Sequence, residues 1–106
     1  MATLWISFRI ENETRGGKSY SERYMGLVDA VLSHKTGPSW EGTTSFIMIE
    51  TSSSRQAVAT SVARAISISY DTVIIGSMDT KGLMLVGSAG EFSTLQKLAP
   101  DVTLAT

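Results

Sequence analysis

The chain has 106 residues, 42% of them hydrophobic and 18% charged, with a net charge of −1 at pH 7. That length admits one domain with a single core, and the near-neutral balance supplies no overall attraction for phosphate, so any nucleic-acid contact needs a local basic cluster. With no cysteine in the chain, disulfides, thiolate metal sites, iron–sulfur clusters and cysteine nucleophiles are excluded.

From Leu4 to Ile10 the residues alternate, with Leu4, Ile6, Phe8 and Ile10 on one face and Trp5, Ser7 and Arg9 on the other, which predicts a first strand. Met1-Ala2-Thr3 runs straight into it without a basic segment or an apolar core of signal-peptide length. No apolar run approaches a membrane span, so the expectation is a cytoplasmic protein without membrane contact. Glu11 to Lys18 is polar and contains Gly16 and Gly17; neither period is sustained there, and a flexible loop is expected. Ser19-Tyr20-Ser21-Glu22 matches a capping box, and Tyr20, Tyr24, Leu27, Val28, Val31 and Leu32 recur at helical spacing until Gly37-Pro38, predicting a first helix.

Ser39-Trp40-Glu41-Gly42 suits a short edge strand turning back into a strand over Thr44 to Glu50. Ser53-Ser54-Arg55-Gln56 repeats the capping pattern before a second helix carrying Val58, Val62, Ala65 and Ile66. A strand over Thr72 to Ser77 follows, then the turn Asp79-Thr80-Lys81-Gly82 and a fifth strand over Leu83 to Val86. The tail has room for one short helix around Phe92 to Leu98 and then a flexible end.

Strand, helix, strand pair, helix and strand in that order predict an α+β ferredoxin-like split βαβ sandwich, βαββαβ plus a C-terminal strand, over residues 1–88, with residues 89–106 as an extension. In this arrangement both helices cover one face of an antiparallel sheet. The runs Ser45 to Ile49 and Thr72 to Ile75 are apolar on both faces, so the uncovered face needs a partner, and a second copy of the chain is the simplest. Trp5 belongs to that face, joined by either Phe46 and Met48 or Ile47 and Ile49.

Over most of residues 3–87 the chain resembles the small ferredoxin-like CRISPR-associated endoribonucleases and their SinR-like relatives outside CRISPR loci. The resemblance rests on Leu4 to Ile10, the polar loop, the helix opening at Tyr20, Thr44-Ser45-Phe46-Ile47 and Asp71-Thr72-Val73-Ile74. It implies homodimers with sheets packed face to face, and a metal-binding Asp near the end of strand one in a Tyr-Asp-Ile type tripeptide. The matching tripeptide here is Phe8-Arg9-Ile10. A guanidinium in place of the carboxylate cannot ligate a cation and repels one.

Arg9 with Glu11 therefore reads as an intra-dimer ion pair on the sheet face, with a remnant site or a phosphate contact as the rival reading. His34 follows the first helix without a partner fixed by sequence. Gly16-Gly17-Lys18-Ser19 lacks the full phosphate-loop spacing and reads as an ordinary loop. Met48 and Met84 read as core or interface filler, and Trp40 as an edge anchor or a residue packed under the first helix. Thr43 to Met48 does not supply the aromatic pattern of an RNA-recognition motif. The expectation is a homodimeric interaction or scaffold module with no catalytic residues, metal or cofactor and with Trp5, Phe46 and Met48 at the interface. Its rivals are a nuclease rebuilt around Glu11 and Glu13, and a binder of nucleic acid or a small ligand using Arg9, Glu11, Arg15 and Lys18.

Overall fold

The computed structural model describes residues 1–105. Among them the elements run β1 (Ala2–Arg9), α1 (Tyr20–Leu32), β2 (Lys35–Trp40), β3 (Phe46–Thr51), α2 (Arg55–Ala65), β4 (Thr72–Ser77), β5 (Leu83–Gly87), α3 (Phe92–Leu98) and β6 (Thr103–Leu104). The strands form one α+β sheet in the order β2-β3-β1-β4-β5-β6. Every neighbouring pair is antiparallel except β5 and β6. No helix of the described residues is long and apolar enough to cross a membrane.

Alternation along β1 separates the two faces as its pattern dictates. Leu4, Ile6 and Phe8 join Ile47 and Ile49 of β3 and Val73 and Ile75 of β4 in the core, under Leu27 and Val31 of α1 and Val58 and Val62 of α2. The capping box at α1 forms in full: Ser19 Oγ accepts from Glu22 N at 3.1 Å, and Glu22 Oε1 accepts from Ser19 N at 3.0 Å.

Three boundaries differ from expectation. Strand β2 begins at Lys35 and runs through Gly37-Pro38, because α1 has already ended with Ser33 N donating to Asp29 O. Proline is tolerated on this outer strand, whose pairing with β3 shifts register between Lys35 and Ser39. At α2 the cap is Ser54, whose Oγ accepts from Ala57 N at 3.0 Å; Ser53 instead hydrogen-bonds His34. The described residues after α3, through Ala105, are no loose tail. They add β6 beside β5, and Ala105 N donates to Leu85 O at 2.9 Å.

Because β5 and β6 are parallel, α3 lies in the crossover between them, and the right-handed rule for such crossovers would set it on the face opposite α1 and α2. Leu85, paired with Ile74 and pointing to that face, is buried outside the main core. The remainder of the face, over β2, β3, β1 and β4, carries no helix.

The loop between β1 and α1 is held from inside. Arg23, at the first position of the Arg23-Leu27-Val31 buried line of α1, is 0% exposed, as is Asp71. Arg23 Nε donates to Asp71 Oδ2 at 2.9 Å. Its Nη1 donates to Glu13 O at 2.8 Å and Lys18 O at 2.7 Å, and its Nη2 to Glu11 O at 2.6 Å. Asp71 in turn accepts from Glu11 N at 3.0 Å and Ser67 N at 2.8 Å. At the loop's tip Arg15 and Lys18 exchange backbone hydrogen bonds around Gly16 and Gly17, whose φ values of 58° and 79° suit the tight hairpin turn that glycine pairs favour. The flexible loop expected from composition is therefore tied at both ends and in its middle.

A buried ion pair that loses one partner leaves an uncompensated charge, at a cost of about 3–5 kcal/mol. Arg23→Met and Asp71→Leu should each lower stability by that order in urea unfolding. The double variant should remain well below the parent, because three loop carbonyls lose their donor along with the pair. Full recovery in the double variant would mean that the carbonyl contacts contribute little.

Candidate interaction surface

On the face without α1 and α2, register brings together Trp5 and Arg9 of β1, Phe46, Met48 and Glu50 of β3, Trp40 of β2, and Ile74 and Gly76 of β4. Phe46 and Met48, not Ile47 and Ile49, are the outward pair of β3, since the latter two are buried in the core. Trp5 and Phe46 stack with centroids 6.3 Å apart and planes at 17°, and Trp40 meets Phe46 edge-on at 6.3 Å and 74°. The three rings make a row across β1, β3 and β2, in the offset and edge geometries that aromatic quadrupoles favour.

Two glycines give the indoles room to lie flat. Trp5 rests over Gly76 of the neighbouring strand, where a Cβ would collide with its ring, and Trp40 rests over Gly42 in the same way. Trp40 remains 51% exposed, so it is an outward-facing edge residue and is not packed beneath α1. Beside it a groove of about 300 Å³ is lined by Thr3, Pro38, Ser39, Trp40, Met48, Ile49 and Glu50.

The charged residues singled out from sequence are dispersed. Arg9 is exposed on the open face and makes no ion pair among the described residues. Within the chain Arg9 and Glu11 do not pair, because Glu11 lies past the end of β1 and turns to Arg15. Arg15 Nη2 and Nε donate to Glu11 Oε1 and Oε2 at 2.7 and 3.1 Å, and the guanidinium sits 3.8 Å from the centroid of the Tyr70 ring. Lys18 Nζ donates to Arg64 O at 3.1 Å. Glu13 is exposed, and its carbonyl is taken by Arg23. Thus Arg9, Glu11, Arg15 and Lys18 do not converge on one site.

His34 has both ring nitrogens engaged, with Ser53 Oγ and Ser61 Oγ each at 2.8 Å, and these contacts join the end of α1 to α2. Ser61 Oγ also donates to Ala57 O at 3.3 Å. Among the described residues no group of three or more His, Cys, Asp or Glu side chains is placed to hold a metal ion. The sequence reading missed Arg23, Asp71 and Glu50. An arginine in line with Leu27 and Val31 on a helix's apolar stripe was the available signal for the first.

Comparison with known proteins returned no matching family model, no matching curated protein and no matching solved structure.

The hydrogen bonds and charge of Arg15 hold the Glu11 carboxyl below the usual glutamate range, and the Ser19 backbone and side-chain hydrogen bonds do the same for Glu22. A carboxyl with a depressed folded pKa contributes stability above its unfolded value and loses it as pH falls through the folded one. Stability should therefore fall as pH drops from 4.5, the ordinary glutamate value, through the depressed folded values. Urea midpoints measured across that window should decline less steeply in a Glu11→Gln, Glu22→Gln variant than in the parent.

Proposed function

We propose that the chain is a homodimeric interaction or scaffold module of the ferredoxin-like class, without the metal-dependent nuclease activity of the enzymes it resembles. The observation that carries this reading is the aromatic row Trp5, Phe46 and Trp40, set with Met48 and Ile74 on a sheet face that α1 and α2 leave bare. A contiguous apolar patch of this kind on a small domain is typical of an interaction site. A second copy suits it because a face-to-face pair would cover both patches at once. The strand order β2-β3-β1-β4, with α1 and α2 opposite, supports a split βαβ unit extended by β5, α3 and β6.

Against metal chemistry stand the fixed positive charge of Arg9 at the end of β1 and the two-point engagement of Glu11 by Arg15. Arg15 and Lys18 are likewise taken up by Glu11, Tyr70 and the Arg64 carbonyl, which weakens the reading as a nucleic-acid binder.

Sedimentation at micromolar concentration should report twice the chain mass, and Trp5→Glu should give a folded monomer, or unfold the chain, by setting an unpaired charge in an apolar contact. A monomeric parent overturns the reading. With Mg²⁺ or Mn²⁺ the protein should not cleave single-stranded RNA or duplex DNA above background. Cleavage that is lost both with chelator and in Glu11→Ala, yet kept in Arg9→Ala, would instead identify a metal site rebuilt around Glu11.

A further inference from the structure

The open face is electrically lopsided along its strands. Arg9 stands at one end of β1, and at the other end Thr3 pairs with Glu50. Arg9 lies six positions after Thr3 in sequence, a span of about 20 Å in a strand. The stacked Trp5 and Phe46 lie between these ends. Glu50 forms part of the groove whose other walls include Trp40, Met48, Pro38 and Thr3. An aromatic wall with a carboxylate beside it suits a guanidinium, which can stack on the indole and pair with the carboxylate together.

Building on the self-association proposed above, we infer that two copies pack sheet to sheet with their β1 strands antiparallel, and that Arg9 of each copy enters the Trp40–Glu50 groove of the other. The two-fold axis runs between the sheets, perpendicular to β1 and near the level of Ile6. This operator sends the Arg9 end of one copy to the Thr3 end of the other and brings the two aromatic rows together at the centre. Packed sheets lie about 10 Å apart, a gap that the long arginine side chain is suited to bridge. A two-fold axis parallel to β1 would instead align the two Arg9 ends and leave both Glu50 carboxylates apart from them. Electrostatic complementarity selects the antiparallel arrangement.

The test uses two charge-reversed full-length chains, Arg9→Glu and Glu50→Arg, each first checked for a parent-like circular dichroism spectrum and cooperative melting. Analytical ultracentrifugation of either variant alone should show self-association weakened by about tenfold or more, since each contact becomes like-charged. An equimolar mixture should associate nearly as tightly as the parent, because one contact is then reversed in both charges and the other is native. Arg9→Lys should weaken association less than Arg9→Glu, because it keeps the charge but loses the planar guanidinium. If the parent dimerises and either reversed variant matches it, or if mixing restores nothing, the antiparallel pairing is wrong while self-association stands. A monomeric parent overturns both.

Discussion

The Arg23–Asp71 pair joins more of this fold than any other side-chain contact. A guanidinium removed from water needs its charge balanced and its donors filled, and a buried carboxylate needs donors in return. Arg23 satisfies Asp71 and the carbonyls of Glu11, Glu13 and Lys18, while Asp71 also takes the Glu11 and Ser67 amides. The end of β1, the following loop, α1, the connection after α2 and the start of β4 are thereby tied through two side chains. Among side chains that are not exposed, no buried nitrogen or oxygen of the described residues lacks a partner, as a polar cluster of this depth requires.

That arrangement orients the outward face as well. Fixing the end of β1 against the start of β4 places Val73 opposite Phe8 and Ile75 opposite Ile6, and the same register sets Trp5 over Gly76. A slip of one residue would exchange the faces of β1, sending Trp5 into the core and Leu4 and Ile6 outward. The core and the aromatic row are thus two consequences of one register. The β5–α3–β6 crossover extends the sheet beside β5 alone, away from the patch on β2, β3, β1 and β4.

The proposed likeness to metal-dependent nucleases would bear on this face through Arg9. Arg9 lies exposed on the open face, away from the Glu11–Arg15 pair. The chemistry available to such a residue is recognition of a carboxylate or an aromatic surface. Glu50 and Trp40 supply both at the far end of the same face.

Much of the architecture was legible in the sequence because it rests on short-range periodicity. Alternation in Leu4 to Ile10 assigned Trp5 and Arg9 to one face, the Ser19 and Glu22 spacing located the start of α1, and the apolar runs marked β3 and β4. Phe46 to Ile49 has no alternation, so which pair faces outward depended on pairing with β1, a tertiary matter. Composition suggested a mobile segment from Glu11 to Lys18, since nothing local shows that Arg23 will fill its carbonyls with Asp71 as counter-charge 48 residues away. Glu11 could be paired with Arg9 on paper by strand alternation, yet the chain leaves the strand at that point and Arg15 becomes its neighbour. Local pattern settled most of the elements, though not β2's bounds or β6, and which face of β1 each side chain takes. Only the tertiary structure decided the partners of the charged residues, because electrostatic pairing depends on distance in space and on removal from water, neither of which a one-dimensional pattern contains.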